Sequence, residues 1–159
     1  METALQIKLD VWPVTSEYAI VEQYDDEIII NFKFWDKNQK TVKNKMGCLT
    51  FNRVWTLRYT RFNETRYYPI EVEHNFQSYY LEIKNSEWLK LMENDRSNYD
   101  NEWKKYDNGN YKHYVFQNNS YFIEIIANGV EFKIKKIKGK YKKIWDKWYK
   151  NNGVRQYGT

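Results

Sequence analysis

Apolar and polar side chains alternate along much of this 159-residue chain, and this pattern constrains its fold more than any other feature. Successive side chains of a β-strand point to opposite faces, so an alternation with a period of two predicts a strand that buries one face. Leu5, Ile7, Leu9 and Val11 form one such row. The pattern predicts strands within residues 5–12, 17–24, 27–35, 48–51, 54–62, 67–72, 78–83, 113–117, 121–127 and 130–135.

Short polar turns separate most of these segments, at Asp25-Asp26, Asn118-Asn119 and Asn128-Gly129 among others. Asn-Gly is the strongest short hairpin signal, because both residues accept the positive φ angles of two-residue turns. Strands joined by tight turns pair antiparallel. We therefore predict a mainly β protein, with an antiparallel sheet folded as a sandwich or a partly open barrel, and an α+β arrangement stays open. No repeat or linker divides the sequence, which predicts a single domain over residues 1–159.

One internal segment breaks the alternation and predicts a helix. Ser86 is a preferred N-cap residue, and the residues after it place apolar side chains on one side. We expect Trp88 to pack this helix onto the core of the sheet. Residues 94–111 contain few aliphatic side chains and predict a frayed helix that passes into a long loop.

A second helix is predicted near the C-terminus, at about residues 140–150. Tyr141, Ile144, Trp145 and Trp148 stand at positions i, i+3, i+4 and i+7, which places them on one stripe. Leaving so large an apolar stripe in water is unfavourable, so we expect the helix to dock on the sheet with its lysines in solvent.

The alternating rows also predict the core. We expect eight side chains to be largely buried, namely Ile28, Ile30, Phe32, Phe34, Leu57, Leu81, Phe122 and Ile126.

The sequence lacks the spaced motifs of known catalytic and metal sites. His74 and His113 have no partner at a recognisable spacing, and Cys48 lies in a predicted strand, where a buried, unreactive thiol is the usual outcome. We predict that the protein is not an enzyme and binds neither a cofactor nor a metal ion. The single cysteine, together with no apolar leader or membrane span, predicts a cytoplasmic protein.

Positive charge is concentrated at the C-terminal end. Residues 133–159 carry nine lysines and Arg155 against the single acid Asp146, a net charge of +9, although the whole chain carries only +5. Arginines also cluster between residues 53 and 66, and aromatic side chains are interleaved with both groups. The predicted binding residues are Arg53, Arg58, Arg61, Lys140, Lys143, Lys147 and Trp35.

Residues 78–133 resemble a pattern in small uncharacterised bacterial proteins. The stretch "SYYLEIKNSEWLKLMEN" and the later "KHYVFQNNSYFIEIIANGVEF" carry the likeness, with a strand that leads into a helix and a later pair of strands. Some proteins of this kind look like immunity or accessory partners encoded beside toxins. The resemblance covers about a third of the chain and implies no catalytic residue.

These features favour two functions, and an enzyme whose site is assembled from separate strands is a distant third. We favour a non-enzymatic protein-binding module, with an immunity-type role as the resemblance implies, because Tyr, Trp and Arg are enriched at interface hot spots. The alternative is a β-barrel protein that binds single-stranded nucleic acid, in which bases stack on aromatic rings and phosphates meet the basic side chains.

Overall fold

The computed structural model describes residues 1–61 and 79–152. The strands are β1 (Thr3–Gln6), β2 (Trp12–Pro13), β3 (Ile20–Tyr24), β4 (Glu27–Phe32), β5 (Phe34–Trp35), β6 (Lys45–Arg61), β7 (Tyr80–Lys84), β8 (Lys112–Gln117) and β9 (Tyr121–Lys136). The helices are α1 (Glu87–Tyr99) and α2 (Lys140–Asn152), with a short 3₁₀ turn at Trp103–Lys105. The predicted strand at 67–72 and His74 lie outside the described residues.

Seven of the strands form one antiparallel sheet in the order β1-β7-β8-β9-β6-β4-β3, and β2 and β5 form a small separate sheet. The mainly β, antiparallel prediction is therefore confirmed. The edge strands β1 and β3 do not pair with each other, so the sheet is not closed into a barrel.

The large sheet curls strongly around its main core. Strands β4 and β8 are separated by β6 and β9, which in a flat sheet would place them about 14 Å apart. Nevertheless, the rings of Phe32 on β4 and Phe116 on β8 lie only 5.2 Å apart. The core inside this curl also contains Phe34 of the small sheet and Val11, the residue before β2. The small sheet and its neighbouring residue therefore cover the concave side of the large sheet.

The two central strands are much longer than the sequence suggested. β6 joins two predicted strands into one of 17 residues, with an extra residue between Val54 and Thr56 that shifts its register against β9. β9 runs straight through Asn128-Gly129, so the predicted hairpin turn there is wrong. The Asn128 side chain instead accepts a hydrogen bond from the backbone N–H of Asn110.

Seven of the eight predicted core residues are buried, each with at most 4% of its surface exposed. The exception is Leu57, which is 41% exposed. It points to the same face as Ile125, its partner on β9, but β4 pairs with β6 only as far as Phe51. Among the described strands, β6 therefore has only β9 beside it at Leu57, which leaves this side chain partly exposed.

The first helix begins as predicted. The Ser86 hydroxyl accepts the backbone N–H of Leu89 at 3.0 Å, which satisfies one of the free donors at the helix start. α1 has no fully buried residue and rests on β8 mainly through Trp88, whose ring meets the ring of His113 edge-on at 5.0 Å. Trp88 thus packs on a buried histidine of β8.

The second helix docks on the sheet, on the face opposite the main core. Trp145 is 2% exposed and packs against Ile20, Met46 and Cys48, while its indole N–H donates to the backbone oxygen of Tyr18 at 2.7 Å. The predicted stripe needs one correction. Ile144 is 36% exposed, and Tyr149 joins the contact instead, because the buried side is centred on Trp145.

Candidate functional site

The structure separates the predicted binding residues into several regions. Arg53 is exposed at an irregular point of β6, and Arg61 is exposed at the end of that strand. Lys143 and Lys147 are exposed on α2, on the side away from Trp145. Trp35 is half-buried in the small sheet. These residues do not form one continuous groove.

Lys140 belongs to a polar cluster that fastens the start of α2 to β3. Its ammonium group lies 2.7 Å from the Glu22 carboxylate, which also accepts the hydroxyl of Tyr141 and the side-chain amide of Asn31. Burial alone would raise the pKa of Glu22, but hydrogen bonds from Lys140, Tyr24, Tyr141 and Asn31 outweigh it and lower the pKa from 4.5 to about 2. Lys140 is therefore engaged within the fold.

Arg58 belongs to a second polar cluster, which lies beneath α1. Its guanidinium makes two hydrogen bonds, of 2.7 and 2.8 Å, to the carboxylate of Glu124 and lies over the ring of Trp88. Glu124 also lies 3.0 Å from Nε2 of His113, and Nδ1 of His113 lies 2.7 Å from the Ser86 hydroxyl. Glu124 and His113 are completely buried.

This serine–histidine–glutamate chain resembles a nucleophile with its base and orienting acid. The Ser86 residue is only 3% exposed, however, and its hydroxyl already caps α1. The chain therefore connects the start of α1 to the centre of the sheet. Sequence spacing missed the group, because Ser86 and Glu124 lie 27 and 11 residues from His113.

Cys48 is buried beneath α2, next to Trp145. Burial raises the pKa of its thiol, which lowers the fraction of reactive thiolate at neutral pH. Its position agrees with the prediction of a structural cysteine.

A cleft of about 830 Å³ opens on the described surface between β6, α1 and the segment that follows α1. We call it the aromatic cleft and define it by its main lining residues, Arg53, Trp55, Arg96, Tyr99, Tyr106 and Tyr111. They come from the irregular part of β6, from α1 and from the segment between α1 and β8. The segment predicted to be a frayed helix and loop thus supplies four of these six residues.

The floor of the aromatic cleft is rigidly connected. Tyr111 lies against Trp55, with ring centroids 3.9 Å apart, and Arg96 lies over the same indole at 4.9 Å. The guanidinium of Arg96 and the hydroxyl of Tyr111 both reach the Asp107 carboxylate at 2.7 Å. Burial favours the neutral acid, but the hydrogen bonds from Tyr111 and Arg96 outweigh it and lower the pKa of Asp107. This packing fixes the orientation of the rings.

The rim of the aromatic cleft contains a strained residue. Arg53 has a φ of 50°, in the left-handed region that non-glycine residues seldom adopt. The next residue, Val54, donates its backbone N–H to the oxygen of Asp26 in the β3–β4 turn, which holds the irregular chain in place. Strained residues of this kind are often found at binding and catalytic sites, although Asp25, Gln39 and Asn85 of this chain also have positive φ angles and lie outside the cleft.

Comparison with known proteins finds no match for this chain among protein-family models, curated proteins or solved structures. Within residues 1–61 and 79–152, no group of three acidic, histidine or cysteine side chains has a geometry that could hold a metal ion. Neither of the two described helices combines the length and apolar character needed to cross a membrane.

Proposed function

We propose that this protein is a protein-binding module and that the aromatic cleft receives its partner. The observation that carries the proposal is the exposure of large aromatic side chains around one opening. Tyr99 is 94% exposed at the end of α1, and Tyr106 is 68% exposed on the loop that follows. Tyrosine, tryptophan and arginine line the cleft, and these residue types are enriched at the hot spots of protein interfaces.

The arrangement of the cleft favours a protein over a small ligand. A small molecule in the cleft would contact Trp55 and Tyr111 on its floor but would leave most of Tyr99 and Tyr106 in water. A protein that covers the rim would bury all four rings. Because the floor is already held by Arg96 and Asp107, binding requires little ordering of these side chains, which favours affinity.

The test compares the wild type with a variant that lacks the two exposed tyrosines at the rim of the cleft. Wild-type protein and a Tyr99→Ser/Tyr106→Ser variant are used to capture partners from lysate of the native host. A partner found by mass spectrometry is then purified and titrated by calorimetry. We expect the double variant to bind at least about 30-fold more weakly, since hot-spot side chains contribute about 2 kcal/mol or more.

The matched control is Tyr59→Ser, which removes a tyrosine that is 54% exposed on β6 but does not line the cleft. This variant should bind as the wild type does, and circular dichroism should show that all variants are folded. Equal affinity of the double variant and the wild type would exclude the cleft as the binding site.

An immunity-type role in the cytoplasm is the specific form of this proposal, and it rests on the resemblance of residues 78–133. In that role the partner is a toxin encoded beside this protein. Co-expression tests it directly, because the wild type and the Tyr59→Ser control should restore growth to cells that make the toxin. The Tyr99→Ser/Tyr106→Ser variant should fail to do so.

A further inference from the structure

A second cavity, of about 390 Å³, lies beside the small sheet formed by β2 and β5. We call it the tryptophan pocket and define it by six of its lining residues, namely Lys8, Asp10, Trp12, Trp35, Lys37 and Gln39. They come from two short stretches of the chain, residues 8–12 and 35–39, and none of them lines the aromatic cleft. The volume falls within the usual range of about 300–1,000 Å³ for small-ligand sites.

The register of the small sheet places both tryptophans on its outer face. Trp12 lies directly opposite Trp35, and the neighbouring pair is Pro13 opposite Phe34. Successive side chains of a strand alternate between its faces, so the two pairs point in opposite directions. Pro13 and Phe34 are buried, whereas Trp12 is 48% exposed and Trp35 is half-buried. The inner pair thus anchors the sheet, and two adjacent indoles are left to line the pocket.

Polar side chains surround the two indoles, and their charges balance. Lys8 and Lys37 are offset by Asp10 and Asp36, and Gln39 adds a neutral amide. Within residues 1–61 and 79–152, the side chains of Lys8, Asp10, Lys37 and Gln39 form no hydrogen bond or ion pair with one another or with the rest of the protein. Hydroxyl groups both donate and accept, so they can pair with ammonium, amide and carboxylate groups alike. The pocket therefore suits a neutral ligand that is rich in hydroxyls.

The turn after Trp35 is held in place by Asp36. Oδ1 of Asp36 accepts the backbone N–H of Asn38 at 2.8 Å and that of Lys40 at 3.1 Å. The backbone N–H of Asp36 in turn donates to the oxygen of Lys40 at 2.9 Å. The backbone of this side of the pocket is thus fixed before a ligand binds, which lowers the entropy cost of binding.

We propose that the tryptophan pocket binds an oligosaccharide with β-1,4-linked glucose rings. In β-linked glucose the hydroxyls are equatorial, so both faces of each ring present C–H groups that stack on an indole. The hydroxyls lie at the ring edge, where the polar side chains of the pocket can reach them. Trp35, one of the binding residues predicted from the sequence, thereby acts together with Trp12. The site is separate from the aromatic cleft and goes beyond the proposed protein partner.

Two other ligand classes also stack on aromatic rings, and the polar side chains disfavour both. A proline-rich peptide fits aromatic grooves, but it would leave the surrounding charged and amide groups without partners. A single-stranded nucleic acid brings phosphates that suit a basic groove, whereas here two aspartates cancel the two lysines.

The experiment titrates the protein with cellohexaose and with maltohexaose by calorimetry. Both probes contain the same glucose units, but the α-1,4 linkage of maltohexaose curves the saccharide so that successive rings cannot lie flat on two indoles. We expect maltohexaose to bind about tenfold more weakly than cellohexaose. Trp12→Ala should weaken cellohexaose binding about tenfold through the lost stacking, and Gln39→Ala about fivefold through a lost hydrogen bond. Both residues are exposed, and circular dichroism checks that the variants are folded.

The matched control is Tyr59→Ser, which removes an aromatic ring that is 54% exposed but lies outside the pocket. This variant and the Tyr99→Ser/Tyr106→Ser variant of the cleft should bind cellohexaose as the wild type does. No binding of cellohexaose at millimolar concentration, equal affinity for the two hexaoses, or binding that neither Trp12→Ala nor Gln39→Ala weakens would overturn the proposal. Tighter binding of decaproline or of an oligothymidylate, lost in Trp12→Ala, would overturn it in favour of that ligand class.

Discussion

The docking of α2 depends on one side chain, and replacing Trp145 by Ala should detach the helix from the sheet. Trp145 is 2% exposed, fills the space above Met46 and Cys48, and donates its indole N–H to Tyr18. Truncation of a buried tryptophan costs about 3–5 kcal/mol, of which the lost hydrogen bond accounts for about 1 kcal/mol. A tryptophan on a solvated arm would cost less than about 0.5 kcal/mol.

The reactivity of Cys48 reports on this docking. It is the only cysteine of the chain, it is 1% exposed, and it packs directly against Trp145. A thiol reagent reaches it only when α2 lifts away or the protein unfolds. A loss of about 3–5 kcal/mol therefore predicts labelling that is roughly two to three and a half orders of magnitude faster. Urea unfolding of the same variant gives the global stability for comparison.

The control for this experiment is Trp12→Ala, which removes a tryptophan that is 48% exposed in the small sheet. It should change the labelling rate of Cys48 by less than about tenfold. If Trp145→Ala left both the labelling rate and the urea midpoint at their wild-type values, α2 would be a free arm, and the account of its packing would be wrong.

Two further changes test the polar clusters. Glu22→Gln should destabilise the protein at neutral pH, because the folded state lowers the pKa of Glu22 from 4.5 to about 2. The difference in unfolding free energy from the wild type should persist above pH 4.5 and shrink as the pH falls towards 2. Urea unfolding at several pH values measures this difference. Ser86→Ala removes a hydroxyl that bonds both the Leu89 N–H and His113, and should lower the unfolding free energy by about 1–3 kcal/mol, whereas a change below about 0.3 kcal/mol would contradict its structural role.

Local signals in the sequence predicted those parts of the fold that depend on neighbouring residues. The alternation of Ile28, Ile30 and Phe32 predicted their burial, because a strand with one covered face requires that pattern whatever its partners are. Ser86 predicted the start of α1, because a cap bonds to a residue only three positions away. Both features depend on residues that are only a few positions apart in the sequence.

The failures concern features that distant residues decide. Asn128-Gly129 is a strong hairpin sequence, yet β9 continues through it because β6 lies alongside β9 both before and after that point. Asn128 instead bonds to Asn110, and Gly109 packs against its side chain, so a loop 18 positions away uses the residue that local propensity assigned to a turn. Tertiary contacts override turn propensity here.

The aromatic cleft could be anticipated only in part. Arg53 was predicted to bind, but its companions Tyr99, Tyr106 and Tyr111 lie in or beside a segment that lacks aliphatic residues and was therefore interpreted as a loop. The number of aromatic residues in this polar segment was visible in the sequence and was the signal that could have identified them. What no pattern could show is that Trp55, on the distant strand β6, lies against Tyr111 in the same cleft.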